Sequence, residues 1–332
     1  MSKPIEDKIS KIPVLNLVMR FFKQIKLPGF EGLSIYDLLE LYIMGIVNGA
    51  LTTRASAIAF SFFSAIFPFL LFVIIVIPYI PIVGFRADFL DFLNSILPPQ
   101  TSEFFIDSIF QDMSSNSSGG LISSVFLLSM FLMANGVNAV FSGFETSYHK
   151  QLYRNVFKQY MYALGVALIL VFLLLLTVAV FGYFQIYVLS PLYKMYEGLS
   201  GVEYVGDDKG LGWVIFAKYL FFVIMTYLAT ATLYYFGTKE GKASKFFSVG
   251  ALLTTLLIML TSFLFGVYIE NFSKYNELYG SIGALLILLL YLWLNSNILL
   301  LGYELNASLQ FLRKNPRARK EIKQKDLEKL VK

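Results

Sequence analysis

The chain is 332 residues long, 57% hydrophobic and only 15% charged, with a mean hydropathy of +0.67. A soluble domain carries about a quarter charged residues, so a water-soluble fold of this composition would expose large apolar patches and aggregate; lipid is the expected solvent. Cysteine is absent and His149 is the single histidine, which excludes disulfides, thiolate metal sites, cysteine nucleophiles and paired-histidine metal sites, while the net charge of +5 points to nucleic acid or to an anionic membrane surface, according to where the charges sit.

Residues 1–33 mix lysines with apolar residues and end in Pro28-Gly29. No long apolar run precedes Ala55, so this segment reads as a cytoplasmic tail rather than a secretory signal. Residues 34–53 space their apolar side chains helically behind Ser34 and Asp37, which resemble a capping box, and predict an amphipathic helix on the membrane surface. Within it, Gly45 and Gly49 permit close helix approach.

A membrane span needs roughly 20 apolar residues. The first such run is 55–83. Pro68 within it removes a helix hydrogen bond to the carbonyl of Ser64 and predicts a bend there. Residues 85–113 alternate short amphipathic turns around Pro98-Pro99 and predict two short helices covering the outer face. Residues 114–120, "SSNSSGG", read as a flexible joint. The remaining spans are 121–144, 160–189, 211–236, 246–269 and 281–303, and a basic tail occupies 313–332. Every run is apolar all round, which excludes a β-barrel with its alternating strands. The expected fold is an all-α integral membrane protein with six transmembrane helices, divided into a cytoplasmic N-terminal segment (1–53), a six-helix domain (54–312) and the tail.

Cytoplasmic loops carry an excess of Lys and Arg. With six spans, one side holds 22: seven before the first span, three in the second loop (Lys150, Arg154, Lys158), three in the fourth (Lys239, Lys242, Lys245) and nine in the tail. The other side holds four, Arg86, Lys194, Lys209 and Lys274. Both termini are therefore expected in the cytoplasm. The basic charge faces the anionic lipids of the inner leaflet, so nucleic acid is not needed to account for it.

Polar groups within spans are functional candidates. Lys218 lies about seven residues into the fourth span, roughly 10 Å below its start. It either snorkels outward or faces an internal cavity. Asn135 and Asn138 in the second span lie at the same depth as Asn295 and Asn297 in the sixth. They predict either interhelical hydrogen bonds or, with Ser64 and Lys218, the lining of a polar cavity; Ser61, Thr226 and Thr230 would add hydroxyls to either arrangement. Arg54, Glu145 and Glu304 share the inner depth. There the sequence admits a structural ion pair or a gate.

Three stretches together resemble the YihY/BrkB family of bacterial inner-membrane proteins, some of whose members were once labelled ribonuclease BN. They are "RASAIAFSFFSAIFPFLLFVI", "LDFLNSILPPQTSEFFIDSI" and the long run from Val249 to Leu309. In the last, Tyr268, Tyr275, Asn276, Tyr279, Gly280, Ser281, Gly283, Gly302, Glu304 and Asn306 fall where the family has its signature. The chain departs from the family at Gly237-Thr238, where a proline is frequent, and at Tyr303, where alanine is usual. The resemblance implies six spans and residence in the inner membrane, with no settled activity.

Metal-assisted phosphodiester cleavage needs clustered carboxylates or histidines. The cytoplasmic loops offer Glu145, Glu240 and His149 without a repeated acidic motif, and there is no phosphate-binding glycine loop. The expectation is therefore a non-enzyme without cofactor or metal. It is either a carrier, flippase-like, for an amphipathic or anionic envelope component, or a scaffold that organises the envelope.

Overall fold

A computed structural model describes residues 22, 25, 34, 36, 50–76, 119–146, 155–184, 212–238, 245–271 and 281–314. The six extended elements within them are all α-helices: α1 (Ala50–Val76), α2 (Gly119–Glu145), α3 (Val156–Phe184), α4 (Gly212–Gly237), α5 (Val249–Asn271) and α6 (Ser281–Lys314). Helices follow from the solvent. Hydrocarbon offers no partner to a backbone amide or carbonyl, so each segment bonds within itself. Threonine and serine hydroxyls obey the same rule. Thr177, Thr230, Thr232, Thr255 and Ser296 each donate to the carbonyl four residues earlier.

Among the described residues, five helices are long and apolar enough to cross a membrane, within Phe126–Glu145, Val156–Val180, Tyr219–Gly237, Val249–Tyr268 and Leu285–Gln310. Leu51–Ile66, in α1, is a shorter apolar helix. Each helix packs against its neighbours in the chain, and α6 returns to α1, so the six close into a ring. α2 also reaches α4 and α6 across that ring. The pairings Gly250–Gly302 and Ser262–Tyr291 run in opposite directions along α5 and α6, so these two helices are antiparallel.

Helix boundaries differ from the sequence reading by a few residues at the starts of α3 (Val156) and α5 (Val249), and by more at the start of α1 and the end of α6. α1 begins at Ala50, absorbing the end of the expected surface helix, and runs through Pro68, which is buried, while Ser64 is exposed. α6 extends to Lys314, beyond the expected end at 303, because "LNASLQFLRK" keeps apolar residues at helical spacing after Glu304. The outer amphipathic pair at 85–113, the body of the surface helix with Gly45 and Gly49, His149, Tyr275, Asn276, Tyr279, Gly280 and the tail beyond Lys314 lie outside the described residues.

Burial is lopsided. The buried side chains occupy the start of α1 (Leu51, Ala55, Ile58), the end of α2 (Val137, Val140, Phe141, Phe144), the start of α3 (Ala163, Val166), the end of α4, the start of α5 and the end of α6. In α4 the described side chains before Thr230, and in α5 those after Thr255, are half-buried or exposed. The ring is thus tightly packed at the end that holds Arg54 and Glu304.

Candidate functional site

The packed end is built around the last turn of α2. Gly143, Phe144 and Glu145 terminate that helix, and Thr146 closes it by donating its hydroxyl to the carbonyl of Ser142 at 3.0 Å. The Gly143 carbonyl is one of the groups a helix C-terminus leaves unpaired, and it accepts Nη1 of Arg54 at 2.9 Å. A cation there also meets the negative end of the α2 dipole. Nη2 of Arg54 reaches Glu304 Oε1 at 3.1 Å. One guanidinium therefore ties α1 to α2 and to α6, with side chains only 14% and 10% exposed. Glu145, at the end of α2, is also buried.

An aromatic plug fills the ring beside this tie. The Phe144 ring stacks on Tyr303 with centroids 4.1 Å apart, and Tyr234 stands edge-on to both. Phe144 also lies against Gly237 of α4, where an added Cβ would meet its ring at 2.6 Å. Phe141, Ile58 and Leu300 complete the filling, all fully buried. Geometry of this kind stabilises each aromatic pair by about 0.5–1.5 kcal/mol beyond burial.

A hydroxyl and amide network surrounds the plug. Tyr234 donates to the Leu299 carbonyl at 2.7 Å and shares a hydrogen bond with Thr254, while Tyr303 donates to Thr238 at 3.0 Å. Ser248 precedes α5 as its N-cap and accepts from the Ala251 amide. Asn306 of α6 finishes that cap: its Oδ1 accepts from the Gly250 amide and its Nδ2 donates to Ser248, both at 2.8 Å. Two amides that a helix start leaves orphaned are thereby satisfied, one of them from a neighbouring helix. Asn306→Ala removes both bonds and is expected to cost about 1–2 kcal/mol. Thermal unfolding in detergent would read this loss, and an unchanged midpoint would show that water replaces Asn306.

Of the residues singled out in the sequence, Arg54 and Glu304 are brought together. The amides are not. Asn135 is exposed and accepts from the Tyr160 hydroxyl of α3 at 3.0 Å. Asn295 and Asn297 donate to the Tyr291 and Trp293 carbonyls of their own helix. Asn295 shares a face with Tyr291 and Gly302, the side toward α5, whereas Asn297 shares the α1-facing side with Glu304. The Asn138 Oδ1 is buried without a hydrogen-bond partner among the described residues. Lys218 lies within α4, and its side chain is outside the described part of the structure. Tyr234, Thr254 and Ser248 were not anticipated. The available signal was the serine before the apolar run "VGALLTTLL", a helix-start pattern.

The described residues gather no group of three His, Cys, Asp or Glu side chains. Residues 45–328 match the family described as "Virulence factor BrkB". The chain belongs to that family. Among proteins similar to it, the "Putative ribonuclease-like protein YfkH" of Bacillus subtilis (strain 168) is 23% identical over 265 residues, 80% of this chain and 92% of that protein. A "UPF0761 membrane protein" of Coxiella burnetii (strain RSA 493 / Nine Mile phase I) is 28% identical over 292 residues, 86% of this chain and 94% of its own length. A "UPF0761 membrane protein" of Xanthomonas oryzae pv. oryzae (strain PXO99A) is 42% identical over 69 residues, 21% of this chain and 16% of that protein. No solved structure matches. The BrkB chain described here is thus a membrane protein with relatives along most of its length, and Gly302, Glu304 and Asn306 all lie at the packed end.

Proposed function

We propose that this BrkB-family protein is a membrane carrier, flippase-like, for an amphipathic or anionic component of the bacterial envelope. It works in the cytoplasmic membrane with six spans and both termini on the cytoplasmic side. The observation that carries the reading is the lopsided ring: the described helices are sealed at one end by the Phe144–Tyr234–Tyr303 plug and the Arg54–Glu304 ion pair, and are less buried toward the other. A carrier needs such a closed end, because alternating access opens one side of a central site while the other is shut. Six spans are supported by the 27 residues of α1, about 40 Å at 1.5 Å per residue, enough to cross a bilayer core. The orientation is supported by the 22 basic residues on one side against four on the other. It puts the plug at the cytoplasmic end, against anionic inner-leaflet lipids. An amphipathic or anionic cargo fits the same surroundings.

A scaffold without transport is the second reading. The dry packing of Phe141, Phe144, Leu300 and Ile58 between α1, α2, α4 and α6 favours it. A nuclease draws no support from the described residues: the "ribonuclease-like" name belongs to the Bacillus relative.

Reconstitution separates the two readings. Purified protein in liposomes carrying labelled anionic and zwitterionic phospholipids, with labelled anionic solutes, is expected to move at least one of them faster than protein-free vesicles. No movement above empty vesicles across the panel would leave the scaffold. Orientation is checked in the same vesicles' parent cells, because the cysteine-free chain accepts single Ser117→Cys and Lys325→Cys reporters. A membrane-impermeant thiol reagent is expected to label the first from outside and the second only after lysis.

A further inference from the structure

The hydrogen bonds of the ring divide it into two bodies. α4, α5 and α6 are joined by hydrogen bonds, most of them toward the packed end: Thr230 to Thr255 and Tyr234 to Thr254 between α4 and α5, Ser262 to Tyr291 and Asn306 to Gly250 between α5 and α6, and Tyr234 to the Leu299 carbonyl and Tyr303 to Thr238 between α4 and α6. α1, α2 and α3 form a second set. Arg54 holds α1 to the end of α2, α1 and α2 share the most extensive contact among the described helices, and Tyr160 and Gln159 of α3 bond to Asn135 and Ser142 of α2; α1 and α6 also pack closely, so the two sets are told apart by their hydrogen bonds rather than by packing. Across the line between the sets, among the described residues, Arg54 bonds to Glu304. Beside that pair the described contacts across the boundary are apolar packing: Phe144 slotted against Tyr303, Tyr234 and Gly237, and Leu300 against Gly143.

We infer that the molecule is two three-helix bodies meeting on a seam, and that the Arg54–Glu304 ion pair with the Phe144 stack is a latch whose release lets the bodies rock apart at this end. The physical ground is the difference between the two kinds of joint. A zipper of short hydrogen bonds in hydrocarbon cannot slide, since every broken bond exposes a polar group that finds no water. A face of stacked rings can separate and reseat without leaving an unpaired donor. An ion pair is made or broken by a single charge, as when a cargo anion takes the place of Glu304 on Arg54. Rigid-body rocking of one set of helices against another is a recognised route to alternating access.

The role of the latch as a gate rests on the carrier reading, but its mechanics are measured without any cargo. Spin labels at Thr53→Cys in α1 and Phe247→Cys before α5 straddle the seam at exposed positions, and labels at Thr53→Cys and Ser142→Cys lie within the first body. Pulsed dipolar distances are read in otherwise unaltered protein, in Arg54→Gln and in Glu304→Gln. The expected result is a second population across the seam in both variants, longer by about 5 Å, the scale of one helix turn, with the pair inside the first body unchanged in Glu304→Gln, which leaves the Arg54 bond to Gly143 in place. Unchanged distances across the seam in both variants would overturn the latch. Broadening of both label pairs together in Glu304→Gln would overturn the division into two bodies. A seam that opens in vesicles that move no substrate keeps the latch and removes the carrier.

Discussion

Gly302→Ala is expected to destabilise the protein by about 3 kcal/mol or more, the upper range for forcing a methyl group into a packed core. An added Cβ would lie inside contact distance of the Thr254 hydroxyl, 2.6 Å from the Tyr234 hydroxyl and 2.8 Å from the Gly250 carbonyl oxygen. None of these can step aside cheaply. Gly250 presents backbone, and its own missing side chain is what lets the Gly302 carbonyl pass on the opposite side of the crossing. Tyr234 is pinned by the Leu299 carbonyl and by Phe144 and Tyr303. α6 would have to move off α5 as a whole, taking Asn306 from the α5 cap, and each such hydrogen bond adds about 1 kcal/mol. Thr254→Ala alone is expected to cost only about 1 kcal/mol for its lost bond to Tyr234. Combined with Gly302→Ala it should recover part of the larger loss, because the two share one obstruction and cannot add. Unfolding midpoints of the four proteins in one detergent would read the cycle. A Gly302→Ala protein that melts with the unaltered chain would mean that α5 and α6 are not in close contact.

Helices and their approximate bounds were legible in the sequence because hydrophobic length in lipid is a one-dimensional property: an apolar run of about 20 residues has few alternatives. The end of α6 was misjudged because hydropathy falls after Tyr303 while helical spacing continues, and hydropathy was read as the boundary. Depth alone grouped Arg54, Glu145 and Glu304 as charges at one level of the bundle, and of these the structure bonds Arg54 to Glu304. The amides show the limit of that method. Depth places Asn135 level with Asn297, but rotation about the axis decides whom each meets, and α1 stands between α2 and α6 along much of the ring. Asn135 turned to Tyr160, and Asn295 and Asn297 turned to their own carbonyls. Close approach was harder still. Gly237-Thr238 stood out only as a departure from the family, yet Gly237 is where α4 admits the Phe144 ring. A glycine's partner is set by the neighbouring helix, which no single stretch of sequence contains.

Arg54→Leu or Glu304→Leu, made singly, is expected to cost about 3–5 kcal/mol, the range for stranding one member of a buried ion pair. The surface value of about 0–1 kcal/mol does not apply, because the two side chains are only 14% and 10% exposed. Arg54→Leu also removes the shorter of two hydrogen bonds to the Gly143 carbonyl, leaving it the Thr146 hydroxyl at 3.3 Å, so it should be at least as severe as Glu304→Leu. The double replacement is expected to be nearly neutral, since two apolar side chains of similar volume leave no charge behind and pack against Leu51 and Leu300, which are buried close by. A double variant that loses the sum of the two single costs would show that each charge is held by something other than its partner. The same double variant separates architecture from mechanism. If the pair only fixes α1 against α6, an apolar replacement that restores the melting temperature restores everything. If the pair is a latch, the apolar replacement is stable but has no charge for a cargo to displace, and movement of labelled lipid or solute should fall while the fold stands.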